Sequence, residues 1–159
     1  MTIDDKITDA LNNLSLEQLN LEPPVSVDIN SSVYEAVSKM DKHGYGCVLV
    51  NDADVLTGIF TERDILLKLE ESDIDDSKPV REFMAAEPVT LSADDKIVDA
   101  VREMSTSGYR HLPIMDSNGK CMGILTARMI VDFVVEFLPE QVYNLPPSPD
   151  QNMLTPEGG

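Results

Sequence analysis

The chain of 159 residues contains two copies of one segment, and this duplication limits its fold more than any other feature. An offset of 64 residues places Pro24 on Pro88, and an offset of 65 places Gly58 to Thr61 on Gly123 to Thr126. The copies match at glycine and proline as well as at apolar positions, so the match reflects a true duplication. A duplicated segment of this kind predicts two like supersecondary units that bury their apolar faces against each other.

Each copy predicts the order strand, helix, strand, strand, helix. Ser32 and Glu35 form a capping-box pattern at the start of the first long helix, and Gly44 and Gly108 stand where a left-handed residue ends such helices. The apolar residues of these helices recur at helical spacing: Val33, Ala36, Val37 and Met40; Ile97, Ala100, Val101 and Met104. Two short apolar strands and a second helix follow in each copy. We therefore expect an α+β fold, in two layers, built from two β-α-β-β-α repeats.

Three segments lie outside the repeats. The first 15 residues predict an amphipathic helix that Thr2 and Asp5 open, with three apolar residues on one face: Ile7, Leu11 and Leu14. A polar linker joins the repeats, and the proline-rich end of the chain predicts an extended or disordered tail. The expected organisation is helix 1–15, first repeat 16–72, linker 73–79, second repeat 80–138 and tail 139–159.

The chain is strongly acidic, with 29 Asp and Glu against 12 Lys and Arg and a formal charge of −17. Binding of duplex DNA or RNA needs a cationic surface, and an anionic membrane repels so acidic a protein. No apolar run reaches the roughly 20 residues that span a bilayer, and the first residues do not predict a signal peptide. Cys47 and Cys121 lack metal-ligand spacing, and we interpret them as reduced thiols rather than as a disulfide. We expect a cytoplasmic protein that binds neither nucleic acid nor membrane.

Residues 16 to 138 resemble a tandem pair of cystathionine-β-synthase (CBS) domains, the Bateman module. Three stretches at this spacing carry the resemblance: Gly58 to Asp64, Val80 to Met84 before Pro88, and Gly108 to Ile114. It implies two repeats related by a pseudo-twofold axis, with AMP, ADP, ATP or S-adenosylmethionine bound between them. No cofactor is obligatory, although a nucleotide could bring magnesium with it. Such modules commonly form homodimers and report the ligand state to a separate partner protein.

The resemblance also implies the residues of one ligand cleft. Thr61 and Asp64 would hold the ribose and phosphate end of the ligand, since a carboxylate accepts hydrogen bonds from a ribose diol and a helix N-terminus offers N–H groups to phosphate. The remaining implied contacts are phosphate-binding residues and the walls around the adenine: Arg63, Arg110 and His111; Val89, Ile59 and Phe60.

Each of these assignments has a structural alternative. Thr61 and Asp64 also form an ordinary capping-box pattern. Arg63 can belong to a surface ion pair in so acidic a chain, and His111 can be a packed imidazole. Tyr109, which matches a tyrosine of the first repeat, is expected to support packing.

The opposite cleft is predicted to be degenerate. It has Met129 at the position of Asp64, so it lacks the acceptor for a ribose diol, and it lacks counterparts of Arg110 and His111 as well. The residues that the resemblance assigns to it are Val25, Gly46, Cys47, Thr126, Arg128 and Met129. This correlated difference predicts one functional site and one retired site.

The last helix predicts an interface. From Met129 to Leu138 only Asp132 and Glu136 are polar, and a helix that is apolar on most sides is buried on most sides. Either a homodimer or the N-terminal helix would cover it.

Two functions remain open. No Ser-His-Asp or Cys-His arrangement and no soft metal site is visible, so we expect no enzyme activity. One function is an adenosine-nucleotide sensor that signals to a partner. The other is a CBS-fold interaction or scaffold protein that binds no ligand and acts through its acidic surface or dimer interface.

Overall fold

The structure, a computed structural model, describes residues 1–71 and 75–138, without the side chains of 69–71. Both repeats follow the expected order in a mixed α+β fold. The predicted tail lies outside the described residues. In chain order, the helices and strands are α1 (Ile3–Asn13), β1 (Ser26–Asp28), α2 (Val33–His43), β2 (Cys47–Asp52), β3 (Val55–Thr61), α3 (Glu62–Glu71), β4 (Ala85–Ala86), β5 (Leu91–Ser92), α4 (Ile97–Ser107), β6 (His111–Met115), β7 (Cys121–Thr126) and α5 (Ala127–Val135).

Local sequence signals set the helix ends. The Ser32 hydroxyl accepts a hydrogen bond from the Glu35 amide, and the Glu35 side chain accepts one from the Ser32 amide. Gly44 and Gly108 end α2 and α4 with φ values of +69° and +78°, which glycine adopts without the steric cost of a Cβ atom. One expectation is wrong, since Val37 of α2 stays exposed.

Each repeat contributes a three-stranded sheet of the same pattern. In the first, β1 runs parallel to β2, which pairs antiparallel with β3; in the second, β5, β6 and β7 repeat this arrangement. The sequence did not predict β4, which precedes the second repeat yet pairs with β3 of the first, with Ala86 opposite Gly58. The converse pairing also occurs, because Glu22 and Ile124 exchange backbone hydrogen bonds of 2.9 and 3.2 Å.

The segments that lead into the repeats therefore cross over to the opposite repeat. We call residues 15–22 the first crossing segment and residues 79–86 the second. Leu16 of the first is fully buried in the core of the second repeat, and Val80 of the second is fully buried in the core of the first repeat. A third apolar cluster joins the two repeats: Cys47, Leu49, Ile59 and Ile124. Neither core is complete without a residue from the other copy.

Two matched glycines make room for the crossing segments. A Cβ atom on Gly123 would lie 2.6 Å from Leu21 Cβ and 3.1 Å from the Glu22 carbonyl oxygen. A Cβ atom on Gly58 would lie 3.1 Å from the Ala85 carbonyl oxygen and would also collide with Met84. The repeated glycine in these strands is thus required by close approach rather than by a turn.

The last helix is only partly covered. One face of α5 packs on the second core through Met129, Ile130 and Phe133, but Val131 is 56% exposed and no residue of α5 is fully buried. The N-terminal helix α1 packs mainly against α4 instead. Among the described residues, no helix is long and apolar enough to cross a membrane.

We expect Gly123→Ala to lower the free energy of unfolding by about 1 to 3 kcal/mol, the usual cost of forcing extra atoms into a packed site. Urea denaturation of Gly123→Ala, Leu21→Gly and the double variant measures this. Because Leu21→Gly removes the atom that collides, the double variant should lose less stability than the two single losses together. Strict additivity would contradict the role assigned to this contact.

Candidate functional site

A cleft of about 580 Å³ lies between the two repeats. One wall is the end of β3 with the first turns of α3, and the other is β4, the Pro88-Val89 segment and the residues before β6. All but one of the residues predicted for the first cleft line this space: Ile59, Thr61, Arg63, Asp64, Val89, Arg110 and His111. Their roles toward a ligand stay predictions, but the fold brings them together.

Phe60 is the exception. Successive side chains of a strand point to opposite faces, so Ile59 faces the junction of the repeats while Phe60 points into the first core. Phe60 is only 1% exposed. Its assignment to the wall of the cleft is therefore wrong.

Thr61 and Asp64 form the capping box at the start of α3. Asp64 Oδ2 accepts hydrogen bonds from the Thr61 amide at 2.9 Å and from the Thr61 hydroxyl at 3.1 Å, and the Thr61 hydroxyl accepts one from the Asp64 amide at 3.3 Å. The second carboxylate oxygen, Oδ1, has no hydrogen-bond partner among the described residues. The cap therefore uses one oxygen of Asp64 and leaves the other available in the cleft.

The cationic groups of the cleft are unpaired. The guanidinium groups of Arg63 and Arg110 are exposed and form no ion pair with a described side chain. At the position equivalent to Arg63, the Arg128 Nε donates to Asp132 Oδ1 at 3.1 Å. Leu67 replaces that carboxylate in the first repeat, so Arg63 lacks the ion pair that Arg128 forms with a described side chain.

His111 lies where the two repeats meet. A Cβ atom on Gly46 would stand 3.0 Å from His111 Nε2 and 3.6 Å from Glu62 Oε2, so the imidazole occupies space that a side chain at position 46 would need. Burial lowers the pKa of His111, and the charges of Glu22 and Glu62 offset this only in part. Its pKa stays below the ordinary value for histidine, and the free protein holds a neutral ring at pH 7.

The residues assigned to the second cleft are mostly used in packing. Val25 packs against the first core and Met129 against the second. The Thr126 hydroxyl accepts a hydrogen bond from the Met129 amide at 3.2 Å, an ordinary helix cap. Cys47 is 4% exposed and belongs to the cluster between the repeats, so its assignment to a cleft wall is wrong.

Several residues that line the cleft were not predicted from the sequence. Ala85 and Ala86 line the cleft because β4 crosses to the first repeat, and Tyr109, expected to support packing, is 44% exposed at its rim. The glycines matched at Gly58 and Gly123 were the available signal, since glycine inside a strand marks the close approach of another backbone.

Two like repeats that exchange segments around a shared cleft define a tandem-repeat module. The chain belongs to the CBS domain family, whose model matches residues 16–71 and 80–136. It is 38% identical over 100 residues to a 17.7 kDa protein of Acidianus ambivalens, covering 62% of this chain and 60% of that protein. It is 36% identical over 93 residues to the CBS domain-containing protein YhcV of Bacillus subtilis, covering 58% and 66%. The matches thus span about two-thirds or less of these relatives.

Solved structures share the fold. The CBS domain structure NE2398 is 27% identical with a TM-score of 0.67, covering 72% of this chain and 89% of that one. A CBS domain protein of Pyrobaculum aerophilum complexed with AMP is 21% identical with a TM-score of 0.69, covering 77% and 99%. The CBS domain pair of protein MJ0100, in complex with 5′-methylthioadenosine and S-adenosyl-L-methionine, is 22% identical with a TM-score of 0.68, covering 77% and 97%. Proteins of this class are generally regulatory rather than catalytic.

We expect the Cys47 thiol to resist labelling in the folded protein. Burial is the main cause that raises its pKa to about 12, so almost no thiolate exists near pH 8, where thiols react through the thiolate. A disulfide reagent applied to Cys121→Ser, which leaves Cys47 as the only thiol, measures the rate. The reaction should be slow until denaturant unfolds the chain, and rapid labelling of the folded variant would place Cys47 on an open wall after all.

Proposed function

We propose that this chain is a regulatory module that binds an adenosine ligand in the cleft between its repeats and signals the bound state to a separate protein. One observation carries the proposal: three residues with available polar groups line the same cleft. Asp64 has a carboxylate oxygen that the helix cap does not use, and the guanidinium groups of Arg63 and Arg110 form no ion pair with a described side chain. AMP and 5′-methylthioadenosine in the neighbouring CBS structures support an adenosine ligand here.

The polar end of the cleft suits a nucleotide. Asp64 Oδ1 can accept hydrogen bonds from ribose hydroxyls without breaking the cap that Oδ2 forms with Thr61. The guanidinium groups of Arg63 and Arg110 are donors for phosphate oxygens, and such charge-assisted bonds are strong. The Glu62 and Asp64 amides already donate to the Gly46 carbonyl and the Thr61 hydroxyl. In a chain of charge −17, this local positive charge offsets the long-range repulsion of an anion.

The other end suits the adenine. Ile59, Ala85 and Val89 supply apolar walls, one from the first repeat and two from the second. Apolar walls with a few placed polar groups are typical of sites for small ligands, and a flat base buries both faces between them. We therefore propose AMP, ADP or ATP as the ligand, with S-adenosylmethionine as the competing candidate and magnesium present only where a nucleotide brings it.

Signalling follows from where the cleft lies. Its walls belong to different repeats, so a ligand in contact with both favours the arrangement in which they are close. A ligand shifts a conformational equilibrium only by its difference in affinity for the two states, and a cleft between two bodies supplies that difference. We propose that a partner protein reads the resulting change in the packing of the repeats.

Calorimetric titration with AMP, ADP, ATP and S-adenosylmethionine tests the proposal. We expect about one site per chain in the wild type, and binding weaker by about tenfold or more in Asp64→Asn and in Arg110→Ala, because each removes a hydrogen bond that involves a charged group. Asparagine retains an oxygen for the cap with Thr61, so the loss of affinity should not come with loss of the fold. Urea denaturation of each variant checks this.

Arg128→Ala is the control, since it removes an arginine of the opposite cleft and should leave binding unchanged. If Arg128→Ala weakens binding while Arg110→Ala does not, the ligand occupies the opposite cleft. If no adenosine ligand binds the wild type at millimolar concentration, the sensor function fails and the interaction-protein function takes its place.

We also propose that the chain forms a homodimer through α5. Its exposed Val131 continues an apolar helix that the rest of the chain leaves partly uncovered. Val131→Glu should convert the dimer to a monomer in light scattering, because it places a charge in an apolar interface. Val55→Glu, at an equally exposed valine of the β2–β3 hairpin, should not. An unchanged mass of Val131→Glu would rule out this face.

A further inference from the structure

His111 is a half-buried titratable side chain of the cleft, and it lies at the junction of the repeats. It lies at the start of β6 opposite Thr126 of β7, and its ring packs over Gly46 of the first repeat. It also lines the cleft, beside Arg110. A ligand in the cleft and the charges at the junction therefore act on the same imidazole.

Carboxylates from two elements of the first repeat face this ring. Glu62 at the start of α3 and Glu22 of the first crossing segment are the charges that act on it, and both favour the protonated form. The Cys47 thiol on β2 keeps its proton, because its pKa is about 12, and adds no charge. The remaining charged groups lie around the cleft: Arg63, Asp64 and Arg110. Burial outweighs the two carboxylates, so the pKa of His111 lies below its usual value and the ring stays neutral at pH 7.

A bound phosphate would change this balance. It adds negative charge on the cleft side of the ring, where the free protein has none beyond Glu62 and Asp64, and a nearby anion favours the imidazolium form. The protonated ring then donates from both nitrogens, and the charges of Glu22 and Glu62 partly compensate its own. Nothing similar accompanies a ligand that carries no anionic group.

We propose that the cleft binds a phosphate-bearing nucleotide together with a proton, which His111 takes up, so that pH sets the preference between phosphorylated and uncharged or cationic adenosine ligands. This inference rests on the function proposed above. It adds a second signal, pH, to the same site.

The sign of the effect follows from linkage. Because the bound anion raises the pKa of His111 above its value in the free protein, binding takes up a proton between the two pKa values. Affinity for AMP therefore rises as pH falls through this window, by at most about tenfold per pH unit for a single proton. The second phosphate pKa is about 6, so ionisation of the ligand contributes little above pH 7. Affinity for 5′-methylthioadenosine should stay level over the same range.

Calorimetry of AMP binding in two buffers of different ionisation enthalpy, at pH 7.0 and 8.0, counts the protons. We expect uptake of a fraction of one proton by the wild type, and about twofold tighter binding at the lower pH. His111→Asn should abolish both effects, and titration with 5′-methylthioadenosine should show neither. The matched control is His43→Asn, which removes the only other histidine of the chain, at the exposed end of α2.

A second measurement needs no variant in the site. Proton NMR of His43→Asn follows the single remaining imidazole against pH, and saturating AMP should raise its pKa by about one unit. Binding of AMP without proton uptake, or uptake that survives in His111→Asn, would overturn the inference and leave the proposed function standing. Loss of uptake in His43→Asn would overturn the assignment to His111. If AMP does not bind at all, both proposals fail.

Discussion

The exchange of crossing segments is the constraint on which the rest of the structure depends. Leu16 completes the core of the second repeat and Val80 that of the first, and both are fully buried. Burying one such side chain is worth about 1.5 to 3 kcal/mol, a large share of the stability of a small domain. Each repeat therefore depends on the other for a part of its core that it cannot supply itself, and the pair should fold as one cooperative unit rather than as two domains on a linker.

The same exchange builds the cleft. Because β4 pairs with β3, the chain leaves the first sheet at Ala86, and the residues that follow line the cleft opposite Thr61 and Asp64 before β5 begins. The two walls of the cleft are thus joined through one sheet, although they belong to different repeats in sequence. The glycine at position 58 is the condition for this, since any side chain there would push β4 away.

Local sequence signals made much of the fold predictable. Helix caps, the glycines that end helices and the apolar strands depend only on neighbouring residues. The difference between Asp64 and Met129 is read directly from the alignment of the two copies. The errors have two origins. Phe60 follows Ile59 in one strand, so alternation alone allows only one of the two to face the cleft. Cys47 was assigned to the second cleft, but it is buried in a cluster with Ile124 of the other repeat. What covers a strand is decided by the crossing segments, which pair Ala86 with Gly58, 28 residues apart, and Glu22 with Ile124, 102 residues apart, beyond the reach of any local pattern.

Gly46 is the counterpart of Arg110, and it lies under the His111 ring with 3.0 Å between Nε2 and the place of a Cβ atom. Position 46 of the first copy and position 111 of the second therefore share one volume at the junction of the repeats, and a large side chain at one leaves little room for a side chain at the other. A duplicated chain that kept the same basic residues in both copies would collide with itself at this point. Divergence of the two clefts is therefore a steric requirement of the joint between the repeats: the space that equips one site with an imidazole is taken from the other.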